Sequence, residues 1–122
     1  MNKRQIGAGK ELLVCEYLKK QGYEILEQNY RNRSGEIDII ARDKEYLVFI
    51  EVKYRSRGKC GNPAEAVDMR KQRVISKVAL YYCMSKGLGL DIPMRFDVVA
   101  VKEEGTAEEI ELLKNAFEYS YR

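Results

Sequence analysis

The 122-residue sequence contains no histidine, and this absence excludes several kinds of catalytic site. A Ser-His-Asp triad, a Cys-His pair, a histidine general base and a His-ligated zinc ion all need an imidazole. Any catalysis must therefore use carboxylates, Lys, Tyr or Cys side chains, or a metal ion that is held by oxygen ligands.

Cysteine is scarce, and no long apolar run occurs. Cys15, Cys60 and Cys83 form no C-x-x-C pair, which is typical of reduced thiols in a cytosolic protein. We expect Cys15 and Cys83 to be small core residues because both fall in helical patterns. The basic N-terminus is followed by no apolar signal segment, and no run could cross a bilayer. The sequence therefore predicts a cytoplasmic protein without a membrane partner.

The overall composition is that of one globular domain over residues 1–122. The chain is 45% apolar and 34% charged, with only two prolines, which excludes disordered and collagen-like classes. The net charge is +3, and acidic residues concentrate after residue 102, so the rest of the chain is more basic than the total suggests. This balance is compatible with a phosphate-rich partner, but many ordinary cytosolic domains share it.

Periodicity and turn residues predict the order α-β-β-β-α-β-(β). Helices are expected over residues 3–21 and 63–86, with Asn62 and Pro63 opening the second. Strands are expected over residues 23–30, 36–41, 46–53 and 95–101, with a last edge strand over 109–113. The simplest arrangement is an α/β fold in which a mixed sheet is covered by helices.

The predicted first helix carries one carboxylate, Glu11, on its apolar side. A buried carboxylate is costly unless it is paired or coordinates an ion, although Glu11 could also reach solvent from the helix edge. The stripe that Glu11 interrupts consists of Ala8, Leu12, Val14, Cys15 and Leu18. The stripe of the second helix is predicted to be Val67, Val74, Val78 and Tyr81.

Two neighbouring strands carry acids within largely apolar runs. Asp38 lies on the first strand, opposite the predicted face of Ile37, Ile39 and Ala41, whereas Glu51 and Lys53 share one face of the second. If these strands form a hairpin, Asp38 and Glu51 come close enough to repel, which favours a cation between them.

Oxygen ligands without imidazole or thiolate indicate Mg²⁺ or Mn²⁺, which would polarise a phosphoryl oxygen. Lys53 could then orient the attacking water or stabilise charge on the phosphate. The alternative is an ordinary ion pair between Glu51 and Lys53 at a strand end.

The segments Gly-Glu-Ile-Asp at 35–38 and Phe-Ile-Glu-Val-Lys at 49–53 resemble the core of the PD-(D/E)xK nucleases, with Ile37 in place of the proline. More specifically, the chain resembles the YraN-like family, uncharacterised bacterial proteins related to archaeal Holliday junction resolvases. Matching blocks at 7–11, 22–26, 29–31, 61–67, 71–73 and 95–98 extend the resemblance over nearly the whole chain.

The resemblance implies a restriction-endonuclease-like fold and metal-dependent hydrolysis of phosphodiester bonds in DNA, with branched or junction DNA as a possible substrate. It also implies that Glu11 joins Asp38 and Glu51 in the metal cluster. Gln72 matches a polar helix residue that lies beside the lysine in related nucleases, although a solvated helix position is an equal alternative. We expect Asp97 to be structural, for example paired with Arg95.

Basic residues flank the predicted site and could contact DNA phosphates, which makes binding salt-dependent without reading a base sequence. They are Arg31, Arg33, Arg55, Arg57, Lys59, Arg70, Lys71 and Arg73. Symmetric cutting of two strands requires a homodimer, for which the edge at 109–113 or the aromatic tail of Phe117, Tyr119 and Tyr121 could supply the interface.

Two other interpretations stay open. The chain could be a nucleic-acid-binding module that keeps the fold without turnover, or a structural domain with ion pairs at its strand ends.

Overall fold

The computed structural model describes residues 3–55, 67–89, 91–104 and 107–120, with side chains placed for 11–54, 67–89, 91–102 and 109–120. The elements are α1 (Lys3–Lys20), β1 (Glu24–Asn32), β2 (Gly35–Asp43), β3 (Tyr46–Arg55), α2 (Met69–Ser85), β4 (Met94–Glu104) and β5 (Ala107–Phe117). The predicted order of helices and strands is confirmed, including the last edge strand.

The strands form one five-stranded mixed sheet in the order β1-β2-β3-β4-β5. β3 and β4 are parallel, and the other neighbouring pairs are antiparallel. A parallel pair needs a long crossover, and α2 lies in the connection from β3 to β4. This α/β arrangement is the restriction-endonuclease-like core that the resemblance implied.

Of the two described helices, one packs on each face of the sheet. Val14 and Leu18 of α1 belong to one buried cluster with Ile50 and Val52, whereas α2 belongs to a second cluster that contains Phe49. Strand alternation along β3 produces this division, as predicted, because successive side chains point to opposite faces. Neither described helix has the length and apolar character needed to span a membrane.

Two predicted core positions are wrong. Leu12 is 59% exposed and Tyr81 is 43% exposed, whereas Tyr82 is buried and packs edge-on against Tyr30 with ring centroids 5.1 Å apart. Each residue turns a helix by about 100°, so an error of one position moves a side chain from core to solvent. Cys15 and Cys83 are buried, as expected.

The start of α2 differs from the prediction. Asp68 is the N-cap, and its Oδ1 accepts a hydrogen bond of 2.8 Å from the backbone N–H of Lys71. The helix therefore begins at Met69. Asn62 and Pro63, which were expected to open it, lie outside the described residues.

A buried polar network near the β2–β3 hairpin joins β2 and β4 with Tyr23, the residue before β1. Asp97 is fully buried, and its Oδ2 accepts a 2.7 Å hydrogen bond from the hydroxyl of Tyr23. Arg95 donates to Asp97 and, through Nη2 at 2.9 Å, to Asp43. The expectation that Asp97 is structural and paired with Arg95 is confirmed.

Gly35 sets the distance between the β1–β2 turn and α2. Its φ is +149°, and a Cβ at this position would lie 2.7 Å from Cγ1 of Val74. Glycine allows this close approach, whereas a side chain at position 35 would force Val74 or α2 to shift. This contact fixes the start of β2, three residues before Asp38.

Candidate active site

The strands β2 and β3 separate at Asp38. Their ladder runs from the Ile39–Ile50 pair to Asp43–Tyr46 at the hairpin. Ile37 packs in the cluster on the α2 side, whereas Ile39 packs on the α1 side, although regular alternation would place them together. The predicted shared face of Ile37 and Ile39 is therefore wrong, because the strand leaves its regular pleat at Asp38.

The Asp38 side chain bridges the point of separation. Its Oδ2 accepts a 2.8 Å hydrogen bond from the backbone N–H of Val52, the residue between Glu51 and Lys53. A side-chain carboxylate thus takes the place of a main-chain partner. This bond holds Asp38 beside the Glu-Val-Lys segment.

Asp38 is electrostatically strained. The pKa of its carboxyl is raised from 3.8 to about 6, mainly by burial and next by the negative charge of Glu51. The Val52 N–H and the positive charge of Lys71 oppose this shift only in part. The negative charge of Glu51 thus disfavours the ionised form of Asp38, and a cation between the two carboxylates would relieve this repulsion.

Glu51 is buried and contacts two lysines. Its Oε1 lies 3.5 Å from Nζ of Lys53 and 3.8 Å from Nζ of Lys71. The ion pair of Glu51 with Lys53, which was the simpler alternative, is thus present. That pair does not explain why a second carboxylate, Asp38, is held in the same place.

Glu11 is hydrogen-bonded to a residue of β1. Its Oε2 accepts a 3.0 Å hydrogen bond from Nδ2 of Asn29. The pKa of Tyr54 is raised to about 12, mainly by burial and next by the negative charges of Glu11 and Asp38. Glu11 and Asp38 therefore both act on the Tyr54 side chain.

The predicted cluster of three carboxylates is not assembled in the described part of the chain. No three Asp, Glu or Cys side chains there converge closely enough to hold one metal ion. The physical reason at Glu11 is its hydrogen bond with Asn29. A metal-binding role for Glu11 stays a prediction.

The side-chain amide of Gln72 forms a hydrogen bond at the start of α2. Its Nε2 donates a 2.9 Å hydrogen bond to the carbonyl oxygen of Val67, just before the helix. This bond helps to order the first turn, which carries Lys71. A direct catalytic role for Gln72 stays a prediction.

The predicted phosphate-binding residues are divided among several places. Arg31 pairs with Glu36 at 3.2 Å, and Lys71 contacts Glu51. Three others are exposed on the β1–β2 turn or α2, namely Arg33, Arg70 and Arg73. Arg57, Lys59 and the side chain of Arg55 lie outside the described residues.

Sequence reasoning did not single out Tyr54, and it predicted only a phosphate contact for Lys71. Strand alternation places Tyr54 on the face of Ile50 and Val52, toward α1, and could have found it. Lys71 was assigned to phosphate, but its spacing of four residues from buried Ile75 indicates an inward position near the sheet.

The donor set fits a small hard cation. Asp38 and Glu51 supply carboxylate oxygens, and the repulsion between them would be relieved by a positive charge. Mg²⁺ is usually bound by one or two carboxylates together with water and substrate phosphates. A third protein ligand is therefore not required for these two residues to hold Mg²⁺ or Mn²⁺.

Comparisons with known proteins identify the family. The model of the uncharacterised protein family UPF0102 matches residues 10–101. A UPF0102 protein of Lachnoclostridium phytofermentans is 50% identical over 118 residues, which cover 97% of each chain. One of Desulforapulum autotrophicum is 47% identical over 95% of each chain, and one of Syntrophus aciditrophicus is 51% identical over 91% of this chain and 87% of its own. The chain therefore belongs to the uncharacterised family UPF0102, the YraN-like family that its sequence resembles.

Proposed function

We propose that this protein is a metal-dependent endonuclease that hydrolyses phosphodiester bonds in DNA. The observation that carries the proposal is the Asp38–Glu51 pair, in which two carboxylates are held within repulsive range where β2 and β3 separate. A structural ion pair needs one acid and one base, whereas this site has two acids and two lysines. Such a set suits a cation and a phosphate together.

In this proposal Asp38 and Glu51 hold Mg²⁺ or Mn²⁺. The ion, when bound, supplies charge that polarises a phosphoryl oxygen and makes water more acidic. Asp38 must be ionised to act as a ligand, and the Val52 N–H favours that form. Glu11 is a third ligand only if its carboxylate leaves Asn29.

The two lysines have separate roles. Lys53 lies closer to Glu51 than Lys71 does, and it is on the same strand as Glu51. Its ammonium group therefore orients the attacking water or stabilises the charge that develops on the phosphate. Lys71 approaches from α2 and offers a second positive charge to the substrate backbone. Gln72 supports Lys71 by ordering the first turn of that helix.

The exposed positive charges favour DNA as the substrate. Arg33, Arg70 and Arg73 are exposed cations that suit phosphate contacts. The sequence carries no recognition-helix or zinc-finger signature for reading bases in the major groove. We therefore propose that DNA shape, such as a branch or junction, determines recognition, and that cutting of both strands needs two copies of the chain.

The test incubates purified protein with junction and linear DNA in Mn²⁺. Wild type is expected to cut, and Lys53→Ala is expected to lose at least about 100-fold in rate, because a group that stabilises transition-state charge is removed. Lys44→Ala removes an exposed lysine at the β2–β3 turn, so it is the matched control and should cut like wild type. Chelation with EDTA should stop cutting.

A second candidate is a nucleic-acid-binding module without turnover. It is favoured by the contacts of Glu51, which is already neutralised by Lys53 and Lys71. Salt-dependent binding by wild type and Lys53→Ala with no cleavage by either would support it. A purely structural domain predicts no DNA binding at low salt and no metal-dependent rise in melting temperature.

A further inference from the structure

The outer side of α2 carries two adjoining clefts that share Ser34 and Lys77. One has a volume of about 830 Å³ and includes Arg73 and Tyr119. The other has a volume of about 670 Å³ and includes Arg33 and Tyr81. Among the described residues that line the two clefts, none is acidic.

The lining combines cations with aromatic rings. Arg33, Arg73 and Lys77 contribute positive charge, and Tyr81 and Tyr119 are 43% and 39% exposed. A positively charged groove with aromatic side chains is the usual binding surface for single-stranded nucleic acid. The cations contact phosphates, and the bases stack on the rings.

The clefts follow one ridge of α2. Met69, Arg73, Lys77 and Tyr81 recur every four residues, so they lie on one side of the helix. The distance from Met69 to Met84 along the helix is about 22 Å at 1.5 Å per residue. That length accommodates about six nucleotides stacked at about 3.4 Å each.

One end of the ridge lies near the candidate active site. Met69 and Lys71 both belong to the first turn of α2, and Lys71 contacts Glu51. Residues two apart point to different sides of a helix, so a strand bound along the ridge would have one end at the same end of α2 as the carboxylates, on a different side of the helix from Lys71.

Hydrogen bonds attach both walls of the clefts to α2. On one side, Nδ2 of Asn32 donates to the carbonyl oxygen of Val78 at 3.3 Å. On the other, the backbone N–H of Ser120 donates to Oγ of Ser76 at 3.1 Å. The surface is therefore formed before any ligand binds, which lowers the entropic cost of binding.

We propose that this ridge of α2 is a binding site for an unpaired single strand of DNA. The proposal rests on the proposed function for the choice of DNA, and it deepens that function by naming an unpaired strand as the feature that the protein recognises. The ridge binds the strand by phosphate contacts and base stacking, without reading a sequence.

The test measures fluorescence anisotropy of a labelled oligothymidylate of about ten nucleotides with the full chain in EDTA, so that binding does not depend on metal or turnover. Tyr81→Ala should weaken binding at least about fivefold, and Tyr81→Phe, which keeps the ring, should bind like wild type. Lys77→Gln should reduce the slope of log affinity against log salt by about 0.7.

Matched controls come from the β2–β3 hairpin. Tyr46 is 37% exposed and Lys44 is exposed, so Tyr46→Ala and Lys44→Gln remove similar groups away from α2 and should leave binding unchanged. The melting temperature of each variant should be measured to check that it is folded.

Three results would overturn the ridge proposal: no binding of the oligothymidylate at low salt, equal losses in Tyr46→Ala and Tyr81→Ala, or tighter binding of blunt duplex than of single strand. The proposed nuclease activity fails separately. Binding that depends on Tyr81 without any Mn²⁺-dependent cleavage refutes the nuclease and retains the ridge.

Discussion

The backbone N–H of Val52 donates a 2.8 Å hydrogen bond to Oδ2 of Asp38, fourteen residues earlier in the chain. This bond places a carboxylate of β2 beside Glu51 at the point where the two strands part. The geometry of the two acids is thus set by the fold before any cation binds, which favours a functional site over a chance pairing. An asparagine at this position keeps an acceptor oxygen, so charge can be removed without removing the bond.

Asp38→Asn should stabilise the protein near neutral pH. The folded pKa of about 6 is above the ordinary 3.8, so ionising Asp38 destabilises the folded state. The cost is complete above about pH 6 and disappears as the pH falls to about 4. We expect Asp38→Asn to exceed wild type by about 1–3 kcal/mol in urea denaturation at about pH 7.5 and to lose most of that advantage at about pH 4.

Saturating Mn²⁺ should make wild type more stable than Asp38→Asn at neutral pH, because the ion raises the melting temperature of wild type but not of Asp38→Asn. Equal stability of the two proteins at both pH values would contradict the electrostatic strain at Asp38.

Lys53→Ala should separate metal binding from catalysis. Its ammonium group lies 3.5 Å from Oε1 of Glu51 and competes with any cation there. Isothermal titration with Mn²⁺ should therefore show binding up to about fivefold tighter in Lys53→Ala than in wild type, while cleavage is lost. Lys44→Ala should bind Mn²⁺ like wild type. Weaker binding in Lys53→Ala would mean that the lysine supports the metal rather than competes with it.

Strand alternation predicted the part of the site that lies on β3. Val48, Ile50 and Val52 face α1, and Glu51 contacts the α2 residue Lys71, as a regular strand requires. The same rule failed at Ile37, because the hydrogen bond from Val52 to Asp38 replaces regular pairing there. A side chain that substitutes for a backbone partner leaves no periodic signal.

Partners distant in sequence explain other differences. β2 continues beyond the predicted strand end to Asp43. The charge of Asp43 favours a loop in the sequence, but in the structure its carboxylate is paired with Arg95. Glu11 is half-buried on α1, and its hydrogen bond with Asn29 is exposed and depends on how β1 passes the helix. Such contacts belong to the tertiary structure and cannot be derived from local patterns.

Gly35→Ala should destabilise more than Gly87→Ala. Both glycines have positive φ, but a Cβ at Gly35 meets Val74 at 2.7 Å, whereas one at Gly87 meets nothing within 4 Å. Urea denaturation should show a loss of about 1–2 kcal/mol for Gly87→Ala and a further 1–3 kcal/mol, roughly, for Gly35→Ala. Adding Val74→Ala should recover part of the loss at Gly35. Equal losses at the two glycines would refute the close approach of the turn to α2.

Arg95→Ala should be strongly destabilising. It leaves the fully buried Asp97 without its cation and also removes the closer of the two cations that pair with Asp43, the other being Lys114 at 3.7 Å. We expect a loss of about 3–5 kcal/mol in the free energy of unfolding, against no more than about 0.5 kcal/mol for the exposed Arg42→Ala. Where Arg95→Ala is still folded, it should bind Mn²⁺ like wild type. A small loss would contradict the network as a structural element.

An anomalous difference map from crystals soaked in Mn²⁺ would show directly whether Asp38 and Glu51 hold a metal ion. We expect an ion within roughly 2.1 Å of carboxylate oxygens from both residues, with the lysine ammonium groups moved away from Glu51. The same map would show whether Glu11 leaves Asn29. If saturating Mn²⁺ leaves no ion at this pair, and Glu51 still contacts Lys53 and Lys71, then Asp38 and Glu51 are not a metal site.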